Sequence, residues 1–113
     1  MIRVTIIDDK RIISSVYDKA GEDTLMAWAQ ENEKSPGHCI YSKSGEIFEV
    51  ADNDNVFELL IRATLNSLDL NGVKRGYSEN ENLFAELKRL GFTEKDGVCE
   101  VDITTFFKPC CQH

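Results

Sequence analysis

VFELLIRATLNSLDLNGVKRGYSENENLFAELKRLGF, residues Val56 to Phe92, carries the clearest pattern in the chain. Val56, Leu59, Leu60, Ala63, Leu65 and Leu68 fall in helical register, and Leu83, Phe84, Leu87 and Leu90 repeat that spacing at the other end. Between them Asn71-Gly72 closes the first helix, because Gly accepts the left-handed conformation that ends one. The run from Val73 to Ser78 then has the character of a strand. The stretch predicts helix, strand, helix.

Working outward, Asp54 or Asn55 is placed to cap the helix that opens at Val56. The residues before it, His38 to Val50 (HCIYSKSGEIFEV), predict a hairpin turning at Lys43-Ser44-Gly45. Towards the amino terminus, Ile2 to Ile7 and Ile12 to Tyr17 flank Asp8-Asp9-Lys10 and predict another hairpin. A helix then follows from Asp23 or Thr24, with Leu25, Met26, Trp28 and Ala29 as its apolar stripe and Pro36-Gly37 as a stop. After Phe92, a turn through Thr93 to Gly97 leads to a strand from Val98 to Ile103. The predicted order is β-β-α-β-β-α-β-α-β, an α+β fold with a mainly antiparallel twisted sheet flanked by helices.

The 113 residues suit one domain, expected over positions 1–108, with a flexible Cys-rich tail over 109–113. A net charge of -7 with scattered Lys and Arg excludes a phosphate-binding nucleic-acid surface or an anionic membrane surface. With no apolar run of about 20 residues and no signal-peptide layout at the start, the reading is a cytoplasmic protein with no membrane partner. Cys39, Cys99, Cys110 and Cys111 do not space like a disulfide framework, and adjacent cysteines are poor zinc knuckles, so no metal site is expected. The acidic connection Asp52 to Asp54 suits capping and turn roles better than calcium binding. His38 is read as a solvated loop residue, and Cys39 and Cys99 as small core residues.

The element order, with Leu90-Gly91-Phe92 ending the last helix, resembles the GNAT acetyltransferase superfamily, in which that helix typically closes on Tyr-x-x-Leu-Gly-Phe. The likeness spans roughly His38 to Ile103. It implies an acyl-CoA-dependent N-acyltransferase, or an acyl-CoA-binding relative, acting on a small-molecule or peptide amine. On that resemblance acetyl-CoA would lie against backbone amides at Asn55, Val56 and Phe57, with Asn80 or Asn82 on its pantetheine arm. Two parts of the family pattern are missing. The Gly-rich pyrophosphate loop is replaced by Ala51-Asp52-Asn53-Asp54-Asn55, and Leu87 stands where a Tyr acid is usual. Tyr77 becomes the candidate acid and Glu46 or Glu49 the candidate base. The alternative expectation is a catalytically inactive GNAT-derived interaction module, working through a protein partner or as a homodimer paired along an exposed sheet edge.

Overall fold

A computed structural model describes residues 1–107 of the chain. Strand β1 (Arg3–Ile7) leads into a short helix α1 (Lys10–Ser14), followed by β2 (Thr24–Glu31), β3 (Lys34–Ser42) and β4 (Ile47–Asp52). Helix α2 (Phe57–Leu70), strand β5 (Arg75–Ser78), a 3-10 turn (Glu81–Leu83) and α3 (Phe84–Arg89) make up the central stretch. The chain then forms β6 (Thr93–Lys95), β7 (Val98–Asp102) and a last turn of helix, α4 (Ile103–Phe106). The tail expected over 109–113 lies outside the described residues.

The strands form two antiparallel sheets, ordered β1-β2-β3-β4 and β5-β7-β6. They meet through a parallel bridge between Glu46 and Tyr77, where the Tyr77 N–H donates to the Gly45 carbonyl at 2.9 Å. Gly45 is obligatory at this seam. Its φ is +112°, and a Cβ there would overlap the Arg75 carbonyl oxygen.

One face of the first sheet buries Leu25, Ala27, Ala29, Cys39, Tyr41 and Ile47 under α2, whose Leu60, Ile61, Leu65 and Leu68 complete the main core. Leu83, Phe84 and Leu87 of the last helical segment join the same core. The opposite face packs Met26 and Ile40 against Ile13 of α1, with Ile7, Tyr17, Trp28 and Phe48 around them. Burial on both faces explains the main departure from the expected order. The run Thr24–Glu31 is strand β2, not a helix. Its odd and even residues both meet cover, so the apolar run is continuous and imitates a helical stripe.

Residues expected as the second strand of a hairpin form α1 instead, because the Asp9 carboxylate accepts from the Arg11 N–H at 2.9 Å and caps a helix. Pro36-Gly37 stops nothing and lies inside β3. The Pro36 carbonyl accepts from the Asn53 N–H at 2.8 Å. At Gly37 a Cβ would overlap the Ala51 carbonyl and crowd Val56 Cγ2 at 3.0 Å and Leu60 Cδ1 at 3.2 Å. The hairpin turn that precedes them uses Asn32, at a φ of 57°. Residues expected as a plain turn at 93–97 begin with β6, an edge strand of three exposed residues.

Candidate functional site

The site is built where β4 and β5 part. Beyond the Glu46–Tyr77 bridge, two side chains tie the strands together: Ser78 Oγ donates to the Ile47 carbonyl at 2.8 Å, and Asn80 Nδ2 to the Phe48 carbonyl at 2.9 Å. After Phe48 the strands diverge. Since Asn53 N–H bonds Pro36, the pairs His38–Ala51 and Ile40–Glu49 are the hydrogen-bonded ones of the β3–β4 ladder. Val50, between them, therefore turns its N–H and C=O to the open side. A register shift opposite Ile40 and Tyr41 marks a bulge at the point of divergence.

On the α1 side of this point stand Glu46 just before β4, Phe48 and Glu49 of β4, Tyr77 of β5, and Tyr17 from the segment after α1. The Tyr17 and Phe48 rings stack with centroids 5.8 Å apart and planes 18° from parallel. Partial burial raises the Glu46 carboxyl above its ordinary range, and the Glu79 charge adds to this, while a hydrogen bond from Tyr77 works the other way. Burial also raises the Tyr17 hydroxyl, helped by the charges of Glu49, Glu46 and Asp18. His38 is half-buried on β3, not in a solvated loop, and burial lowers its pKa against the pull of Glu49. The structure thus brings Tyr77 beside Glu46, one of the two candidate bases, and sets the other, Glu49, past the divergence opposite Ile40 and near Tyr17 and His38. It adds Tyr17 and Phe48, which the sequence reading passed over because the elements carrying Tyr17 were misassigned.

Tyr77 itself is half-buried, with the Arg75 guanidinium 4.4 Å above its ring. Asn80 begins the 3-10 turn, its Oδ1 accepting from the Asn82 N–H at 3.1 Å. Asn82 is exposed. Leu87 is fully buried in the main core, an apolar position where a hydroxyl would have to find a partner.

The residues expected to meet a pyrophosphate lie at the start of α2. Asn55 is exposed at a φ of 60°, a conformation Asn tolerates, while Val56 and Phe57 are buried. Neither Asp54 nor Asn55 caps the helix. Asp52 Oδ1 takes the Val56 N–H at 2.7 Å, so one of the proposed phosphate donors is already committed. Asn55 and Phe57 line a cavity of about 380 Å³ with Glu58, Glu86, Arg89 and Leu90. Arg89, the single cation among the described residues of that lining, is ion-paired to Glu86. The following N–H groups of the first turn carry no side-chain cap and supply roughly half a positive charge through the helix dipole. Against that stand the carboxylates of Asp52, Asp54, Glu58 and Glu86. The pyrophosphate of coenzyme A does not fit this end of the cleft.

No cluster of three or more His, Cys, Asp or Glu side chains arranged to hold a metal occurs among the described residues. Cys39 and Cys99 are both fully buried, and burial pushes the Cys39 thiol up to about 12 despite the nearby Thr64 hydroxyl. Cys110 and Cys111 lie outside the described residues. No helix among those residues is long and apolar enough to cross a membrane.

No family model matches the chain, and no curated protein matches it in sequence. Solved structures do match. The ribosomal-protein-S18-alanine N-acetyltransferase from Escherichia coli superposes with a TM-score of 0.69 at 15% identity, covering 91% of this chain and 94% of that one. YhhK from E. coli, in a solution structure bound to coenzyme A, gives 0.64 at 19% identity over 88% of this chain and 98% of its own. A Desulfovibrio desulfuricans protein described as a GNAT-family acetyltransferase gives 0.64 at 9% identity, over 91% and 98%. The fold is the GNAT fold, present at nearly full length.

Proposed function

We propose that the protein transfers an acyl group from a thioester to an amine at the point where β4 and β5 part. The observation that carries this reading is the bridge that ends the closed part of the seam, which sets Tyr77 beside Glu46, a carboxyl whose pKa is raised by partial burial and by the Glu79 charge. A carboxylate of raised pKa beside a phenol forms a proton path. The amine attacks the thioester carbonyl and loses a proton to the Glu46 carboxylate. As the carbon–sulfur bond breaks, Tyr77 protonates the departing thiolate and recovers its proton from Glu46. Atoms and charge balance, with one proton passing from amine to thiol. Glu49, Glu79 and Asp18 surround the position with negative charge, which attracts a cationic amine that gives its extra proton to solvent before the neutral amine attacks. The stacked Tyr17–Phe48 pair supplies an apolar wall. Val50 offers an N–H and a C=O to the amides of an extended donor arm, in the manner of strand addition.

The test is single-turnover transfer from an acetyl thioester to a panel of small and peptide amines. Glu46→Gln and Tyr77→Phe should each slow transfer by about 10²- to 10⁴-fold with the fold intact. Unchanged rates in both variants would remove the reading.

A second reading, a non-catalytic module that self-associates, is favoured by the outer edge of β1. That edge is unpaired, and beside it Val4 and Ile6 meet Ala63 and the 78%-exposed Leu70 of α2 in a groove of about 210 Å³. Sedimentation equilibrium decides it: a dimer converted to monomer by Ile6→Lys supports edge pairing, and a monomer at all concentrations excludes it.

A further inference from the structure

From the start of α2 we infer that the thioester donor used by this protein carries no nucleoside diphosphate that the protein grips. The inference rests on the acyl-transfer reading and narrows its donor. Gripping a diphosphate at a helix start needs free N–H groups, close backbone approach and an uncompensated cation. Here the connection Ala51 to Asn55 has no glycine, and the Val56 N–H is held by Asp52 Oδ1 at 2.7 Å. The cavity beyond it is lined by Glu58 and Glu86, with Arg89 neutralised by the latter. Lys88, the next cation along α3, is also occupied, its Nζ lying 2.8 Å from Glu94 Oε1. The remaining uncapped amides of the first turn contribute about half a charge, which the surrounding carboxylates outweigh.

The amide end of the donor meets the opposite situation. By the β3–β4 register Val50 turns its N–H and C=O away from β3 where the strands part, and Asn80 and Ser78 tie the seam together just before it. The chain therefore keeps the part of the cleft that receives an acylated, amide-containing thiol arm and has lost the part that receives phosphates. The donor class is a thioester of a pantetheine-like thiol without a nucleotide.

The experiment compares acetyl-pantetheine with acetyl-CoA by titration calorimetry on the full chain, at low and high salt. A site that grips the diphosphate gains at least about tenfold in affinity from it and loses that gain as salt rises. The expected result is the reverse: acetyl-CoA binds no tighter than acetyl-pantetheine, and its affinity improves with salt as repulsion is screened. Glu86→Gln, which releases Arg89, should improve acetyl-CoA several-fold and leave acetyl-pantetheine unchanged. If acetyl-CoA binds tenfold tighter than acetyl-pantetheine, the inference falls and the acyl-transfer reading stands. If neither thioester binds at millimolar concentration, the acyl-transfer reading falls and takes the inference with it.

Discussion

Glu46 is held between opposing influences, and its pH behaviour follows from them. Burial and the Glu79 charge raise its pKa above the ordinary 4.5, and the Tyr77 hydrogen bond offsets part of that rise. Between the unfolded and folded pKa values the native state binds more proton than the unfolded chain. The contribution of Glu46 to stability is therefore fully present below the unfolded value and is lost as pH climbs through the folded one. Glu46→Gln should leave the melting temperature unchanged near pH 3 and raise it by a few degrees at pH 7, an effect that thermal melts at the two values would reveal. An equal change at both would mean that the charge is not what the site strains against. Gly37 offers a harder test of packing. Because an added Cβ would meet the backbone of β4 as well as Val56 and Leu60, Gly37→Ala should destabilise by about 1–3 kcal/mol in urea unfolding, where an exposed Gly→Ala change is usually neutral or favourable.

Among the elements, α2 was legible in the sequence because it has one buried face, so the period of its apolar residues is the period of the structure, and the β3–β4 hairpin was legible from its Lys43-Ser44-Gly45 turn between two β-prone runs. Strand β2 was not, since α1 and α2 cover its two faces and erase the alternation. Misreading β2 as a helix and α1 as a strand left the pattern of an α+β fold intact. It also hid Tyr17, whose place beside Phe48 depends on where α1 sets it. Glu46, Glu49 and Tyr77 were legible because they lie on elements that were read correctly. The sequence offered Asp54 and Asn55 as caps of α2, whereas no side chain caps its first turn and Asp52 instead accepts from the N–H of Val56, the residue at the N-cap position. Asp52→Ala should therefore cost about 1 kcal/mol, and Asp54→Ala close to nothing, as measured by chemical denaturation. Equal costs would mean that the Asp52 bond to Val56 does not hold the start of α2.

At the scale of the molecule, the fold is two sheets sharing one core, and the seam between them is narrow. Among the described residues, only the Glu46–Tyr77 bridge joins strands of the two sheets directly. The side-chain bonds from Ser78 and Asn80 to the Ile47 and Phe48 carbonyls extend it. Strands β2 and β3 are central in a four-stranded sheet with cover on both faces, whereas β6 is a three-residue edge with every residue exposed. Local opening should follow that asymmetry, with β5-β7-β6 exchanging amide protons before β2 and β3. Ser78→Ala gives this a sharp form, because Ser78 is fully buried and its hydroxyl satisfies a carbonyl that water does not easily reach. Its loss should cost about 1–3 kcal/mol. In native-state hydrogen exchange, protection should fall at Tyr77 and along β7 while the slowest amides of β2 fall only with global stability. If protection in both sheets dropped by the same amount under strongly native conditions, the seam would not be a boundary, and the two sheets would open as one cooperative unit.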